Sequence, residues 1–196
     1  MPKRKADALT GGSRDVNPQW MNIPVIQTAA DINTTIQAPL PVQRLAQQNK
    51  KSLVMEILKI MWDMPIYQPP SLNLFSLAAF LTTKDPNLTS GAGLITPSFF
   101  QLRANGTCLD YINRQIIAGS GTDSNTIIID DPTFHDLTDD AGHGVLVATD
   151  NLFVSLVSVI GSSTPTSVVN NALCKILYRW KEVTLEEYIG IVQSQQ

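Results

Sequence analysis

From Ala172 to Lys181 the chain alternates with a period of two. Ala172, Cys174, Ile176, Tyr178 and Trp180 fall on one side of an extended segment, while Lys175, Arg179 and Lys181 share the other with Leu173 and Leu177. A helix would scatter these residues around its axis, so the pattern predicts a strand with one buried face. Such a strand needs partners, and the chain supplies them as short, β-rich, turn-bounded runs: Leu72–Thr83, Ser98–Ala104, Thr126–Asp130, Val145–Thr149 and Leu152–Ile160. Ile23 to Ile36 reads as one or two strands, closed by Pro39-Leu40-Pro41, and Val183 to Gln193 as a further strand or strand-like segment.

One segment reads two ways. Ser52, Glu56, Lys59 and Asp63 sit at helical spacing, with apolar residues between them. Against this, Val54, Ile57, Ile60 and Trp62 favour a pleated surface. The β-rich neighbours decide for a strand over residues 53–63.

About eight to ten strands are therefore expected, as in a sandwich or barrel. The connections Pro65–Ser71, Lys84–Pro97 and Ile117–Asn125 are too long for a simple meander. The expected fold is all-β: a single eight-stranded jelly roll, an antiparallel β-sandwich, over residues 21–196. Residues 1–20 read as a flexible arm, since Gly11-Gly12-Ser13 and Asn17-Pro18 are turn and linker residues without apolar periodicity.

Charge sorts the surfaces. Only 16% of the residues are charged, against about 25% in an average domain. Neutral surface is easier to bury against a partner, so homo-oligomerisation is expected. Between Arg114 and Lys175 there is no Lys or Arg, and Asp123, Asp130, Asp131, Asp136, Asp139, Asp140 and Asp150 fall in that gap. Carboxylates repel phosphate, which leaves the arm residues Lys3, Arg4, Lys5 and Arg14, or the cluster Arg44, Lys50 and Lys51, to meet nucleic acid. The run Lys3-Arg4-Lys5 also fits a nuclear-import signal. One such arm binds weakly, but many copies acting together bind well.

Catalytic patterns are weak. His135 and His143 lie in the acidic stretch Asp130–His143, where Asp139 could join them around a cation, yet the His-x-His spacing of a cupin is missing. A solvated acidic loop is the simpler reading, and neither a metal nor a cofactor is expected. There is no Gly-x-Ser-x-Gly elbow, and Gly91-Ala92-Gly93 and Gly119-Ser120-Gly121 lack the strand, helix and lysine of a phosphate loop. An enzyme is not expected. Cys108 and Cys174 are too few and too far apart for a disulfide framework or a zinc site and read as reduced thiols, at least one of them in a packed strand. The charged N-terminus has no apolar stretch after it, which predicts no secretory leader and unmodified Asn33, Asn87 and Asn105. The apolar run Gly144–Gly161 carries Asp150 and Asn151 at its middle, so no membrane span is expected. Tyr178, Trp180, Trp62 and Phe153 read as core rather than as a base-stacking platform, because the aromatic face of the strand is also its apolar face.

Several blocks resemble capsid proteins of small circular Rep-encoding single-stranded DNA viruses. They are Pro2-Lys3-Arg4-Lys5 with Leu9-Thr10-Gly11-Gly12 and Asp15-Val16-Asn17-Pro18-Gln19, Val54–Lys59, Gly142–Asp150, and the ending Tyr178–Val183 with Glu187–Gln195. The resemblance implies a self-assembling jelly roll, most simply sixty copies in a T=1 icosahedral shell around a single-stranded DNA genome. The arm would face the genome and carry nuclear import, placing the protein in the virion and, during assembly, in the host nucleus. The chain departs from the pattern in its short basic arm: sixty arms of four charges give about 240 positive charges, fewer than a genome of a few thousand phosphates. Two other classes share the expected architecture. A nucleoplasmin-like oligomeric chaperone would need a long acidic tract, and a cupin-like protein would need converging histidines.

Overall fold

A computed structural model describes residues 17–29, 32–40, 51–64, 74–88, 103–118, 126–160 and 169–195. Its strands, in chain order, are β1 (Gln19–Ile26), β2 (Thr34–Pro39), β3 (Lys51–Asp63), β4 (Leu74–Thr82), β5 (Cys108–Ala118), β6 (Thr126–Asp130), β7 (Phe134–Asp136), β8 (Val145–Val147), β9 (Asn151–Ile160) and β10 (Asn171–Thr184). A helix, α1 (Leu185–Ser194), closes the described chain.

The strands form two antiparallel sheets. The first runs β1-β10-β3, and β7 and β8 lie end to end along the far edge of β3; the second runs β2-β9-β4-β5-β6. The pairing is nested: β1 lies beside β10, β2 beside β9, β3 beside β8, and β4 beside β5. Strands consecutive in sequence mostly sit in opposite sheets, as if one long hairpin had been wound into a sandwich. That winding is an eight-stranded jelly roll, with β6 and β7 added at its margins.

The alternation that announces β10 also fixes its burial. Ala172, Cys174, Ile176 and Tyr178 are buried, and Trp180, half-buried, packs on the same core. They meet Val25 of β1, Ile60 and Trp62 of β3, and Leu152, Val154 and Leu156 from the opposite sheet. Fully burying each large side chain contributes about 1.5–3 kcal/mol. Tyr178 and Trp180 meet edge-on at 5.8 Å, as aromatic quadrupoles prefer.

Residues 53–63 are strand, as expected. Their helical spacing has a structural cause: the register of β3 against β10 shifts between Leu177 and Tyr178, so Leu58 is skipped. Met55 and Ile57 point into the core before the shift and Ile60 and Trp62 after it. The single bulge stretches one period from two to three and imitates a helix.

Other expectations need correction. Val183 and Thr184 end β10, but Leu185–Ser194 is an α-helix rather than a strand. Thr184 caps it: its hydroxyl accepts from Glu187 N at 3.2 Å, and Glu187 reaches back to Thr184 N at 2.8 Å. This capping box satisfies amides that a strand would have paired elsewhere. Tyr188, Ile191 and Val192 then pack on Val54, Ala148 and Val183. In Ser98–Ala104 the last two residues are helical, and 98–102 lie outside the described residues. The sheet takes up the chain at Gln19, slightly ahead of the expected body. β5 and β7 are strands that the apolar runs did not announce.

Candidate assembly surface

Among the described residues three charged side chains are buried in the sandwich, and each ties separate segments together. Glu56, on the outward side of β3, is fully buried. One carboxylate oxygen accepts from Arg179 Nε of β10; the other faces Lys181 Nζ at 3.4 Å and accepts from Gly144 N at 3.1 Å. Burial works against its charge, but Arg179, the Gly144 amide and Lys181 outweigh it and hold the carboxyl below its ordinary range. Gly144 must be glycine here, because a Cβ would collide with the carbonyl oxygen of Ile57.

Asp110 of β5 crosses the sandwich. It accepts from Trp62 Nε1 at 2.8 Å and meets His135 Nδ1 of β7 at 2.7 Å. Burial raises its pKa, although Trp62 and His135 pull the other way. Arg114 of β5 grips Asp130 of β6 with two bonds, 2.6 and 2.9 Å, and donates to the carbonyl of Met64 at 2.6 Å. This bidentate fork fixes β6 to the edge of its sheet.

The histidines do not converge. His135 is held by Asp110, while exposed His143 lies 3.4 Å from Asp139 within its own loop. Among the described residues no group of three or more His, Cys, Asp or Glu is placed to hold a metal ion. The stretch expected to be a solvated loop instead contributes β7 to the first sheet. Burial pushes the Cys108 thiol up to about 11 and that of Cys174 well above 9.0, which makes both poor nucleophiles. Among the described residues no helix is long and apolar enough to cross a membrane.

Among the described residues, the most exposed large apolar side chains lie at margins. Trp20 and Ile26 stand out from the edge strand β1, Ile127 and Ile129 from the edge strand β6, and Leu185 and Ile189 from α1. Such a surface, low in charge, is chemically suited to burial against other protein. No family model and no curated protein matches the sequence. Solved structures do match it in shape. VP1 of Trichodysplasia spinulosa-associated polyomavirus, in complex with GM1 oligosaccharide, superposes with a TM-score of 0.53. The match covers 90% of this chain and 98% of that one at 10% identity.

The chain shares its fold with polyomavirus VP1. Two structures of Merkel cell polyomavirus VP1, one with disialyllactose and one an unassembled pentamer, give TM-scores of 0.49. They are 11% and 10% identical, cover 89% of this chain in each case, and are themselves covered to 98% and 97%.

Lys3, Arg4, Lys5 and Arg14, together with Arg44 and Lys50, lie outside the described residues. Lys51 opens β3 opposite Thr184. The sequence reading missed the exposed isoleucines of β6. Their signal was an Ile-rich run without Lys or Pro, but only topology shows that the run forms an edge.

Proposed function

We propose that this chain is a viral capsid protein that self-assembles into a closed shell. The observation that carries the reading is a complete jelly roll whose exposed apolar side chains gather at its margins. The sequence blocks that resemble capsid proteins of Rep-encoding single-stranded DNA viruses support it, as does the fold shared with VP1 of Trichodysplasia spinulosa-associated polyomavirus.

In its fuller form the proposal is a sixty-copy T=1 shell around single-stranded DNA. Lys3, Arg4, Lys5 and Arg14 meet the genome from within, and Lys3-Arg4-Lys5 carries the subunit to the host nucleus. Residues 1–14 precede the sheet that begins at Gln19, so their removal is expected to spare every described strand.

The test is electron microscopy of the purified full chain, read with its 260/280 nm absorbance ratio, beside a variant lacking residues 1–14. Uniform closed particles with a raised ratio are expected for the full chain, and particles with a lower ratio for the truncation. Small discrete rings free of nucleic acid would refute the shell and favour the oligomeric-chaperone class. A truncated chain that failed to fold would refute the division of labour between arm and body.

A further inference from the structure

We infer that β6 is a two-fold contact, where two copies of this chain join their second sheets edge to edge through Thr126–Asp130. The inference deepens the self-assembly reading and rests on it.

Among the described residues β6 pairs only with β5, and none of them covers its other edge. Open edges invite pairing, and proteins ordinarily protect them with proline, lysine or very short strands. The other marginal strands follow that rule: β1 carries Pro24, β2 carries Pro39, and β7 and β8 are three residues each. β6 has five residues, Thr-Ile-Ile-Ile-Asp, with no Pro or Lys. Arg114 holds it in place through Asp130, so the open edge is presented on a fixed strand.

The backbone selects one register. Asp131 N donates to Asn113 O at 3.0 Å, which extends the ladder that pairs Arg114 with Asp130. Hydrogen-bonding direction alternates along a strand. Ile127 and Ile129 therefore turn their amides and carbonyls toward β5, and Thr126, Ile128 and Asp130 turn theirs to the open edge. An antiparallel two-fold can be centred on any residue of the strand; centring on Ile127 or Ile129 engages only two of these three outward residues. Centring on Asp130 opposes two aspartates, which is unfavourable, and centring on Thr126 leaves most of the strand unpaired. Centring on Ile128 uses all three outward residues and sets Asp130 against Thr126 of the second copy.

That register also places the side chains. Ile127 comes opposite Ile129 of the second copy at a non-hydrogen-bonded position, where opposed side chains approach most closely. Both are among the most exposed apolar residues described, at 56% and 51%. The two-fold gathers four of them into one cluster and makes a continuous sheet across two copies. The contact is isologous: one patch satisfies itself.

Cysteine pairing reads the register directly. In a Cys108→Ser background, Ile127→Cys and Ile129→Cys chains are prepared separately, and also mixed before assembly. Each is then oxidised and run on a non-reducing gel. A disulfide-linked dimer in the mixture and its absence from either chain alone is the expected result; a mixture that cross-links no more than the separate chains overturns the contact. Full-chain Ile127→Lys/Ile129→Lys protein, checked for its β-sheet circular dichroism, is expected to lose the dimeric contact and closed particles. Undiminished particles from it would overturn the contact while leaving the shell reading intact. Register-specific cross-linking in protein that never closes into particles would support the contact and remove the shell reading.

Discussion

Replacing Glu56 tests the buried charge network that holds the loop before β8 against the first sheet. Its carboxylate is fully buried, while the Arg179 and Lys181 side chains keep 24% and 32% of their exposure. In Glu56→Ala both cations lose this carboxylate, Arg179 keeping its bond to the carbonyl of Gly142, and Gly144 N loses its acceptor. Removing one member of a buried pair costs about 3–5 kcal/mol. Here both cations still reach water, so the lower end, about 3 kcal/mol, is expected. Glu56→Gln keeps the volume and an amide oxygen for Gly144 but turns an NH2 toward Arg179 Nε, so it loses that acceptor together with the charge assistance, about 1.5–3 kcal/mol. Glu56→Ala should then lower Tm by about 6–12 °C for a chain of this size, and Glu56→Gln by visibly less.

The assay is thermal unfolding of the unassembled chain, followed by tryptophan fluorescence, to which buried Trp62 contributes beside Trp20 and Trp180. It should be repeated across acidic pH. The folded-state pKa of Glu56 lies below its ordinary value of 4.5. Its stabilisation is therefore complete above that value and fades as pH falls through the lower folded one. Wild-type protein should lose stability over that window more steeply than Glu56→Gln. Equal Tm values for all three proteins, or parallel pH profiles, would refute the claim that this carboxylate holds the loop.

Substitutions at three further positions probe separate links. Gly144→Ala drives a methyl group into the Ile57 carbonyl and should cost about 1–3 kcal/mol or more, read as a lowered urea midpoint with an unchanged m-value. Thr184→Ala removes the hydroxyl of the capping box and should cost about 1 kcal/mol; hydrogen exchange should speed in α1 and stay slow in β10. Ile176→Asp places an unpaired carboxylate at a position with no exposure and should abolish soluble folded protein, whereas Ile176→Val should fold.

How much the sequence revealed depended on whether one physical pattern governed a segment. β10 was legible because its two faces differ along almost its whole length, from Ala172 to Trp180. β5 was not, because Asp110, Asn113 and Arg114 interrupt it, and their partners Trp62, Asp131 and Asp130 are supplied by distant strands and loops. The closing helix was legible in principle. Thr184 and Glu187 stand three apart, with Leu185, Tyr188, Ile189 and Val192 following at helical spacing. The strands before them outweighed that local signal. The candidate surface was least legible of all, since Ile127 and Ile129 look like core until the sheet order shows that β6 stands at an edge.

The distribution of charge within the sandwich bears on how such a subunit associates. Glu56, Asp110 and Arg114 are buried with partners on other strands or loops, so each fixes internal geometry. Charged pairs suit that role, because a wrong arrangement leaves a buried charge unpaired at a penalty of several kcal/mol. The strand margins carry Trp20, Ile26, Ile127 and Ile129 instead, whose association is non-directional and proportional to the area buried. If the chain self-assembles as proposed, such a subunit is shaped before it meets a partner, and margins of this kind give contacts that are individually modest and reversible. Those are the conditions under which many identical copies can correct misplaced additions and close a regular shell, because multivalency supplies the strength that no single contact has.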